Sequence, residues 1–132
     1  MFNAGIETFQ ARFNAGDFAA LGALLSDDFE QDFVKGFPQR SVRGRDNWVS
    51  FFEEYRRDLS TWEIKVLASY EAPAGQVIAE IEYIGVGRSS GLRTTFKTWD
   101  LIRFDQQGRV ERVHQLSDRA EAERLAVEMA AR

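Results

Sequence analysis

The segment at residues 92–104, LRTTFKTWDLIRF, constrains the fold more than any other part of the chain. Its side chains alternate, and one set consists of Phe96, Thr98, Asp100, Ile102 and Phe104. Because successive side chains of a strand point to opposite faces, this pattern predicts one long strand. Burying an unpaired carboxylate in an apolar row is unfavourable. Asp100 is therefore either a structural carboxylate, at an edge or held by a partner, or an acid in a pocket.

The preceding run, QVIAEIEYIGVG at residues 76–87, alternates in the same way. If the two runs pair antiparallel, Glu80 and Glu82 lie near Lys97 and Arg103, and opposite charges on one face stabilise such a pair. We therefore expect these four charged residues on the outer face. The inner face is predicted to carry the other set: Val77, Ala79, Ile81, Tyr83, Thr98 and Asp100.

Composition narrows the classes of function. The 132 residues suit one domain, residues 1–132, and a hydrophobic content of 44% is enough for a packed core. The formal net charge is −4 and the basic residues are scattered, so we expect no nucleic-acid partner. The chain has no cysteine and one histidine, His114. Thiolate chemistry is therefore excluded, and we expect no metal site and no cofactor.

The sequence also bears on the cellular location. No apolar run reaches the length of a membrane span. The first residues, MFNAGIETFQARF, lack the basic start and apolar region of a secretory signal. The absence of cysteine fits a reducing compartment. We therefore expect a cytoplasmic protein without membrane contact.

Three helices are predicted in the first half of the chain. Residues 3–14 have apolar side chains at helical spacing, with Asn3 as N-cap, and Asp17 begins a short helix that extends to Leu25. Residues 29–34 are predicted to form a short strand and residues 35–44 a loop. The third helix, at residues 45–58, has a wide aromatic stripe.

The second half of the chain changes to a period of two. Residues 61–72 and 109–117 are two further predicted strands, and turns are expected between the strands. Asp118, followed three residues later by Glu121, is typical of a helix start, here over residues 119–131. Helices followed by a meander of antiparallel strands predict an α+β fold, in which one curved sheet wraps around the helices.

Three segments, FNAGDFAALGALLSDDF at 13–29, GRDNWVSFF at 44–52 and WDLIRFDQQGRVERVHQLSD at 99–118, resemble the nuclear transport factor 2-like superfamily. The chain is most similar to its SnoaL-like and ketosteroid-isomerase-like branch, over residues 3–118. The resemblance implies a cone-shaped, strongly curved antiparallel sheet packed on N-terminal helices, with a pocket on the concave face. It also implies a homodimer through the convex face.

The resemblance implies roles for individual residues. Ketosteroid isomerases have a hydrogen-bond-donating acid in the segment that matches DLIRF, which is Asp100 here. Their tyrosine donor on the first helix corresponds to Phe9, which has no hydroxyl group. Their general base corresponds to Phe33, and Asp32 takes that role if the register shifts by one residue. The resemblance therefore does not imply classical ketosteroid isomerase activity.

Two other branches of the superfamily offer different comparisons. Its epoxide hydrolases use an Asp–Arg–Asp set, of which Asp100 matches one carboxylate while Thr98 and Gln115 occupy the other positions. Its polyketide cyclases use an acid or a histidine on the last strand, where His114 and Gln115 are adjacent. Alternation along that strand places Gln115 inside with Asp100 and His114 on the convex face.

The candidate catalytic residues are Asp100 as acid or base, Gln115 as its polar partner, and Asp32, for which solvent exposure competes with a catalytic role. The expected partner is a small apolar molecule. Its binding residues are predicted among side chains that mostly form the core: Phe9, Phe13, Phe33, Trp48, Phe52, Tyr55, Tyr83, Thr98 and Val113.

Two functions stay open on the sequence. One is a cofactor-independent isomerase or cyclase that acts by acid–base chemistry on an apolar carbonyl or polycyclic substrate. The other is a non-catalytic module that binds an apolar ligand or dimerises. A second polar group facing Asp100 favours the enzyme, and the candidates are Gln115 and Tyr83. The homodimer is expected because Ile78, Ile84, Trp99 and Leu101 all point outward, and exposed apolar patches usually mark an interface.

Overall fold

Six strands and four α-helices lie within residues 4–37 and 39–132, the part of the chain that the computed structural model describes. The helices are α1 (Ala4–Asn14), α2 (Phe18–Gly22), α3 (Arg45–Arg57) and α4 (Arg119–Ala130). The strands are β1 (Leu25–Asp32), β2 (Ser41–Arg43), β3 (Leu59–Glu71), β4 (Val77–Gly87), β5 (Arg93–Phe104) and β6 (Val110–Leu116). This order confirms the predicted α+β class. The expected N-cap Asn3 lies outside the described residues.

All six strands form one sheet in the order β2-β1-β6-β5-β4-β3. β1 runs parallel to β6, and every other neighbouring pair is antiparallel. β4 and β5 pair as the alternation predicted, and every residue assigned to their inner face is buried. On the outer face, Lys97 Nζ lies 2.7 Å from Glu80 Oε2. Arg103 stands opposite Arg112 of β6, so the prediction that it lies near the glutamates is wrong.

The helices α1, α2 and α3 cover the inner face of the sheet and bury an aromatic core with it. The rings of Phe13 and Phe18 meet edge to face at 5.4 Å, and Phe52 stacks on Trp62 at 5.1 Å. Such pairs add stability beyond the area they bury. Asn14, at the end of α1, exchanges two hydrogen bonds with the backbone of β3, at 2.7 and 3.0 Å. The first helix is therefore fixed over the sheet.

The helices α2 and α4 begin at the residues that the sequence indicated. The carboxylate of Asp17 accepts a hydrogen bond from Ala20 N at 3.1 Å, and Asp118 accepts one from Glu121 N at 2.8 Å. Each bond satisfies a backbone N–H that has no partner within its own helix. The predicted N-caps of α2 and α4 are therefore confirmed.

The last helix, α4, packs on the outer face of the sheet. Ala122, Ala126 and Met129 form a second buried cluster with Ile78 and Leu101 of the strands. Ile78 and Leu101 are 1% and 0% exposed, so the prediction that they form an exposed apolar patch is wrong. The homodimer through this face stays a prediction, which sedimentation at micromolar concentration measures.

The boundary between α2 and β1 also differs from the prediction. The helix ends at Gly22 rather than Leu25, and the strand begins at Leu25 rather than residue 29. Leu25 is buried and pairs with Val110, and the register of β1 shifts between Leu25 and Glu30. Burial against the sheet therefore outweighs the turn preference of the polar residues that follow. The predicted loop at residues 35–44 likewise contains β2, which buries Val42.

Candidate active site

Four polar side chains from three strands meet on the inner face of the sheet, and we call them the inner cluster: Thr98, Asp100, Tyr83 and Gln115. Thr98 Oγ1 donates a hydrogen bond to Asp100 Oδ1 at 2.7 Å. Gln115 of β6 stands directly opposite Asp100 of β5, and its Nε2 donates to the hydroxyl oxygen of Tyr83 at 2.8 Å. Three of the four residues are 4–7% exposed and Thr98 is fully buried. Asp100 therefore has the polar neighbours that the enzyme hypothesis requires.

The amide of Gln115 has a defined orientation. The backbone N–H of Val34 donates to Gln115 Oε1 at 3.3 Å. Because a backbone N–H can only donate, the atom that it contacts must be the amide oxygen. The amide nitrogen consequently points toward Tyr83 and Asp100. Gln115 thus supplies donors, and no negative charge, to the inner cluster.

Burial determines the protonation of the inner cluster. Loss of solvent raises the pKa of Asp100 from 3.8 to about 7, and hydrogen bonds from Thr98, Gln115 and Tyr83 only partly oppose this rise. Burial, and then the negative charge of Asp100, raise the pKa of Tyr83 well above 10. At neutral pH Asp100 therefore populates both protonation states, while Tyr83 keeps its proton and can donate a hydrogen bond.

A cavity of about 170 Å³ lies against the inner cluster. Its wall is mostly apolar, and the polar side chains among its lining residues are Asp100, Tyr83, Gln31 and Arg109. Six of the nine residues predicted to bind a ligand line this cavity: Phe9, Phe13, Trp48, Phe52, Tyr83 and Val113. Contact of these residues with a ligand stays a prediction.

The other three predicted binding residues have different positions. Thr98 is buried and donates its hydrogen bond to Asp100, so its contribution is to that carboxyl group. Phe33 stacks on Phe37 at 4.7 Å, and Tyr55 packs on Trp62, also at 4.7 Å. Neither of these two rings is part of the cavity wall. The aromatic stripe of α3 is therefore divided between core and cavity.

Asp32 lies on the outer face of the sheet, because β1 turns Gln31 inward and Asp32 outward. Its Oδ2 is 2.8 Å from Arg112 Nη2 and 2.9 Å from His114 Nδ1. We call Asp32, Arg112 and His114 the outer cluster. The sheet separates Asp32 from Asp100, so the register shift that would make Asp32 a catalytic base does not occur.

His114 belongs to the outer face, as the alternation predicted, but it is only 9% exposed. Burial lowers the pKa of His114, Arg112 lowers it further, and Asp32 partly opposes both effects. The neutral imidazole thus has Nδ1–H facing the carboxylate of Asp32. Its Nε2 is buried and has no hydrogen-bond partner within the described part of the chain.

Two polar residues of the cavity, Gln31 and Arg109, were not predicted from the sequence. Arg109 lines the cavity together with two exposed residues, Ala23 and Gly108. The side chain of Arg109 is itself 38% exposed. The cavity therefore opens to solvent near the β5–β6 turn, and Arg109 pairs there with Asp105 at 3.3 Å. Gln31 lies deeper and is 5% exposed. Alternation along this segment could have predicted the position of Gln31, because it places Gln31 on the same face as Phe29 and Phe33.

Two classes of feature are absent from the described residues. Within residues 4–37 and 39–132, no group of three or more His, Asp or Glu side chains is arranged to hold a metal ion. In the same part of the chain, no helix combines the length and apolarity needed to cross a membrane.

Comparison with known proteins supports the fold. A family model described as a SnoaL-like domain matches residues 6–113. No curated protein sequence matches the chain at a significant level. Among solved structures, the chain is similar to an NTF2-like protein of unknown function from Exiguobacterium sp. 255-15. The TM-score is 0.74 at 16% sequence identity, with coverage of 87% of this chain and 98% of the other.

Two further structures are similar over most of their length. A protein with a ketosteroid isomerase-like fold from Catenulispora acidiphila, in complex with trimethylamine, has a TM-score of 0.76 at 14% identity, covering 87% of this chain and 85% of the other. A protein from Xanthomonas campestris pv. campestris, provisionally classed as a polyketide cyclase, has a TM-score of 0.71 at 20% identity. Coverage is 92% of this chain and 93% of that one. At these identities the likeness establishes the fold alone.

Proposed function

Because this chain belongs to the SnoaL-like domain family and buries an acid beside an apolar cavity, we propose that it is a cofactor-independent proton-transfer enzyme of the isomerase or cyclase type. The observation that carries the proposal is the position of Asp100. Its carboxyl group lines the cavity and has a pKa of about 7. A group that titrates near the working pH is an effective general acid or base. The fold shared with a protein provisionally classed as a polyketide cyclase supports the proposed reaction type.

The proposed chemistry uses two residues of the inner cluster, Asp100 and Tyr83. Ionised Asp100 takes a proton from the carbon next to a substrate carbonyl, and the C–H electron pair forms the C=C bond of an enolate. As Asp100 takes up the proton, the single O–H of Tyr83, which donates to Asp100 in the free protein, turns to the substrate oxygen on which negative charge develops. Asp100 then returns the proton to a different carbon, which isomerises the substrate. In a cyclase, the enolate carbon instead attacks a second carbonyl of the same molecule, and the proton goes to the resulting alkoxide.

The size of the cavity limits the substrate. Pockets for drug-sized ligands usually measure about 300–1,000 Å³, whereas an engineered cavity of about 150 Å³ holds one benzene molecule. The cavity beside Asp100 measures about 170 Å³. Of the two substrate types expected from the sequence, a small apolar carbonyl compound with a single ring therefore fits better than a polycyclic one.

The test is exchange of hydrogen for deuterium at the α-carbons of cyclohexanone in heavy water, followed by proton NMR. We expect the wild-type protein to accelerate the exchange, with a rate that rises with pH and levels off above about pH 7. Asp100→Asn should lower the rate by about 10²–10⁴-fold, the usual contribution of one general base. The matched control is Asp32→Asn, which removes a carboxylate on the other face of the sheet and should leave the rate unchanged. An unchanged rate in Asp100→Asn would exclude Asp100 as the base.

A second candidate function is the binding of a small apolar ligand without catalysis. It is favoured by the fact that Asp100 is the one carboxylate among the described residues that line the cavity. An enzyme whose general acid and general base are both carboxyl groups would require a second one. This alternative predicts saturable binding of cyclohexanone with no exchange above the background rate.

A further inference from the structure

Gln31 is a buried amide that the proposed proton transfer does not use. It is the penultimate residue of β1, it follows the buried Phe29 by two positions, and it is 5% exposed. It lines the same cavity as Asp100 but belongs to a different part of the wall. Burying an amide is unfavourable unless its donors and acceptor have partners.

The contact with Trp48 fixes which way this amide points. Trp48 Nε1 lies 2.8 Å from Gln31 Oε1. An indole N–H can only donate, so the atom that it contacts must be the amide oxygen. The Nε2 group is consequently the part of Gln31 that remains for the cavity. Within the described residues, its two N–H groups have no hydrogen-bond acceptor.

The strand register places Gln31 on the same face of the sheet as Asp100, two strands away. Gln31 pairs with Val113, and Gln115, two residues further along β6, pairs with Asp100. Adjacent strands are about 4.8 Å apart and two residues span about 7 Å, so the backbones of Gln31 and Asp100 are separated by about 12 Å. Both side chains line the cavity between them. A separation of this size matches the length of a single ring that carries a polar atom at each end.

We infer that Gln31 is a specificity-determining residue, whose Nε2 donates a hydrogen bond to a second acceptor on the substrate, opposite the carbonyl that faces Asp100 and Tyr83. The ligand class is therefore a single-ring compound with two oxygen acceptors in a para-like arrangement. This inference rests on the proposed function only in taking the Asp100 end as the one that holds the reacting carbonyl. The cavity wall between Gln31 and Asp100 is apolar, so it excludes substituents that carry charge.

The experiment compares two ring compounds of nearly equal size by protein NMR titration. Cyclohexanone has one acceptor, and 1,4-cyclohexanedione has two on opposite sides. We expect the wild-type protein to bind the dione about tenfold more tightly. This combines one additional neutral hydrogen bond, worth about fivefold in affinity, with a twofold statistical advantage of a symmetric ligand.

The informative variant replaces both partners of the hydrogen bond, Gln31→Met with Trp48→Phe. It leaves no orphaned donor, so folding is better preserved than in Gln31→Met alone. We expect the preference for the dione, measured as the ratio of the two dissociation constants, to fall to the statistical twofold, whatever change the altered wall causes in the affinity for cyclohexanone itself. Trp48→Phe alone is the matched control, because it makes the same change in the wall but keeps the Gln31 amide, and it should prefer the dione more than the double variant does. Circular dichroism verifies that each variant is folded.

Two results would overturn the inference: a wild-type protein that does not distinguish the two compounds, and a double variant that still prefers the dione by about tenfold. Failure of the proposed function gives a different result. If Asp100→Asn exchanges cyclohexanone as fast as wild type while the dione preference depends on Gln31, the cavity recognises two acceptors but Asp100 is not the base.

Discussion

The two faces of the sheet give a carboxylate different environments, neutral and buried on the inner face and paired with a cation on the outer face. The residues of β6 that create the two environments are adjacent in sequence. On β6, Gln115 faces inward to the inner cluster and His114 faces outward to Asp32. Asp100 has only neutral partners and is 4% exposed. Asp32 contacts the guanidinium of Arg112 at 2.8 Å, and its side chain is 39% exposed. A change of one residue in the register of β6 would therefore exchange the environments of the two acids.

The comparison shows that burial alone does not make an acid suitable for proton transfer. Desolvation raises the pKa of a carboxylic acid, whereas a nearby cation lowers it. The inner cluster combines burial with neutral donors, which keeps the pKa of Asp100 near 7. Arg109 also lines the cavity, but it lies at the opening and pairs with Asp105. Separation of the arginines from Asp100 is thus what maintains the inner acid.

The largest expected difference between the faces is in stability above neutral pH. A folded-state pKa raised from 3.8 to about 7 means that the unfolded chain releases the Asp100 proton first, so stability falls between about pH 4 and pH 7 and then levels off. Asp100→Asn removes this loss. At pH 8 we expect it to be more stable than wild type by up to about 4 kcal/mol, and at pH 4 about equal.

The matched variant on the other face is Asp32→Asn, which should lower stability at pH 8 by about 1 kcal/mol because Arg112 then has only Glu30, at 3.5 Å. Urea unfolding at pH 4 and pH 8 measures both variants. Effects of the same sign would show that the two environments do not differ as described.

An intermediate effect is expected from Thr98→Val, which keeps the shape of the side chain and removes the donor to Asp100. Because that hydrogen bond favours the ionised carboxyl, its loss should raise the pKa of Asp100 further above about 7, by an amount worth about 1 kcal/mol. An NMR titration of the Asp100 carboxyl measures the change. Thr95→Val, at an exposed position of the same strand, is the control and should have no effect. Equal titration of both variants would mean that Thr98 does not stabilise the charge.

The smallest expected effect is in the outer cluster, at acid pH. A lowered folded-state pKa means that the unfolded chain protonates His114 first as the pH falls below 6.5, so His114 reduces stability there. Arg112 and Arg103 oppose its protonation and Asp32 favours it. His114→Gln should therefore lose less stability than wild type between pH 7 and pH 5, as thermal unfolding at both values would show. A steeper loss in the variant would contradict the described charge balance.

The sequence predicted the inner cluster because its members lie on regular strands. Alternation in β4, β5 and β6 assigned Tyr83, Thr98, Asp100 and Gln115 to one face, and the pairing of β4 with β5 has no irregularity. The charge of Asp100 in an apolar row identified the position where burial would be unfavourable. Local pattern was sufficient here because face and partner follow from a period of two.

The errors occur where that period is interrupted or where partners are distant. The irregular register between Leu25 and Glu30 disguised the start of β1, and β2 has only three residues within a loop. The packing of α4 on Ile78 and Leu101 depends on how the chain returns to the sheet, which no local pattern specifies. Gln31 was overlooked because a neutral amide in an apolar row is less conspicuous than a charged residue. The residues next to it on the inner face are two phenylalanines.

The parallel pairing of β1 with β6 has a consequence for the order in which the site assembles. The strands from β3 to β6 are joined by short turns, so the pairs that carry Asp100, Tyr83 and Gln115 close small loops. Asp32 and Arg112, which meet across β1 and β6, are 80 residues apart in the chain. Closing a loop of that length is entropically unfavourable until other contacts have formed. We therefore expect the acid-bearing wall to form early in folding and the wall with Gln31 to be added last. Chemistry and selectivity would then be acquired at separate stages as the chain folds.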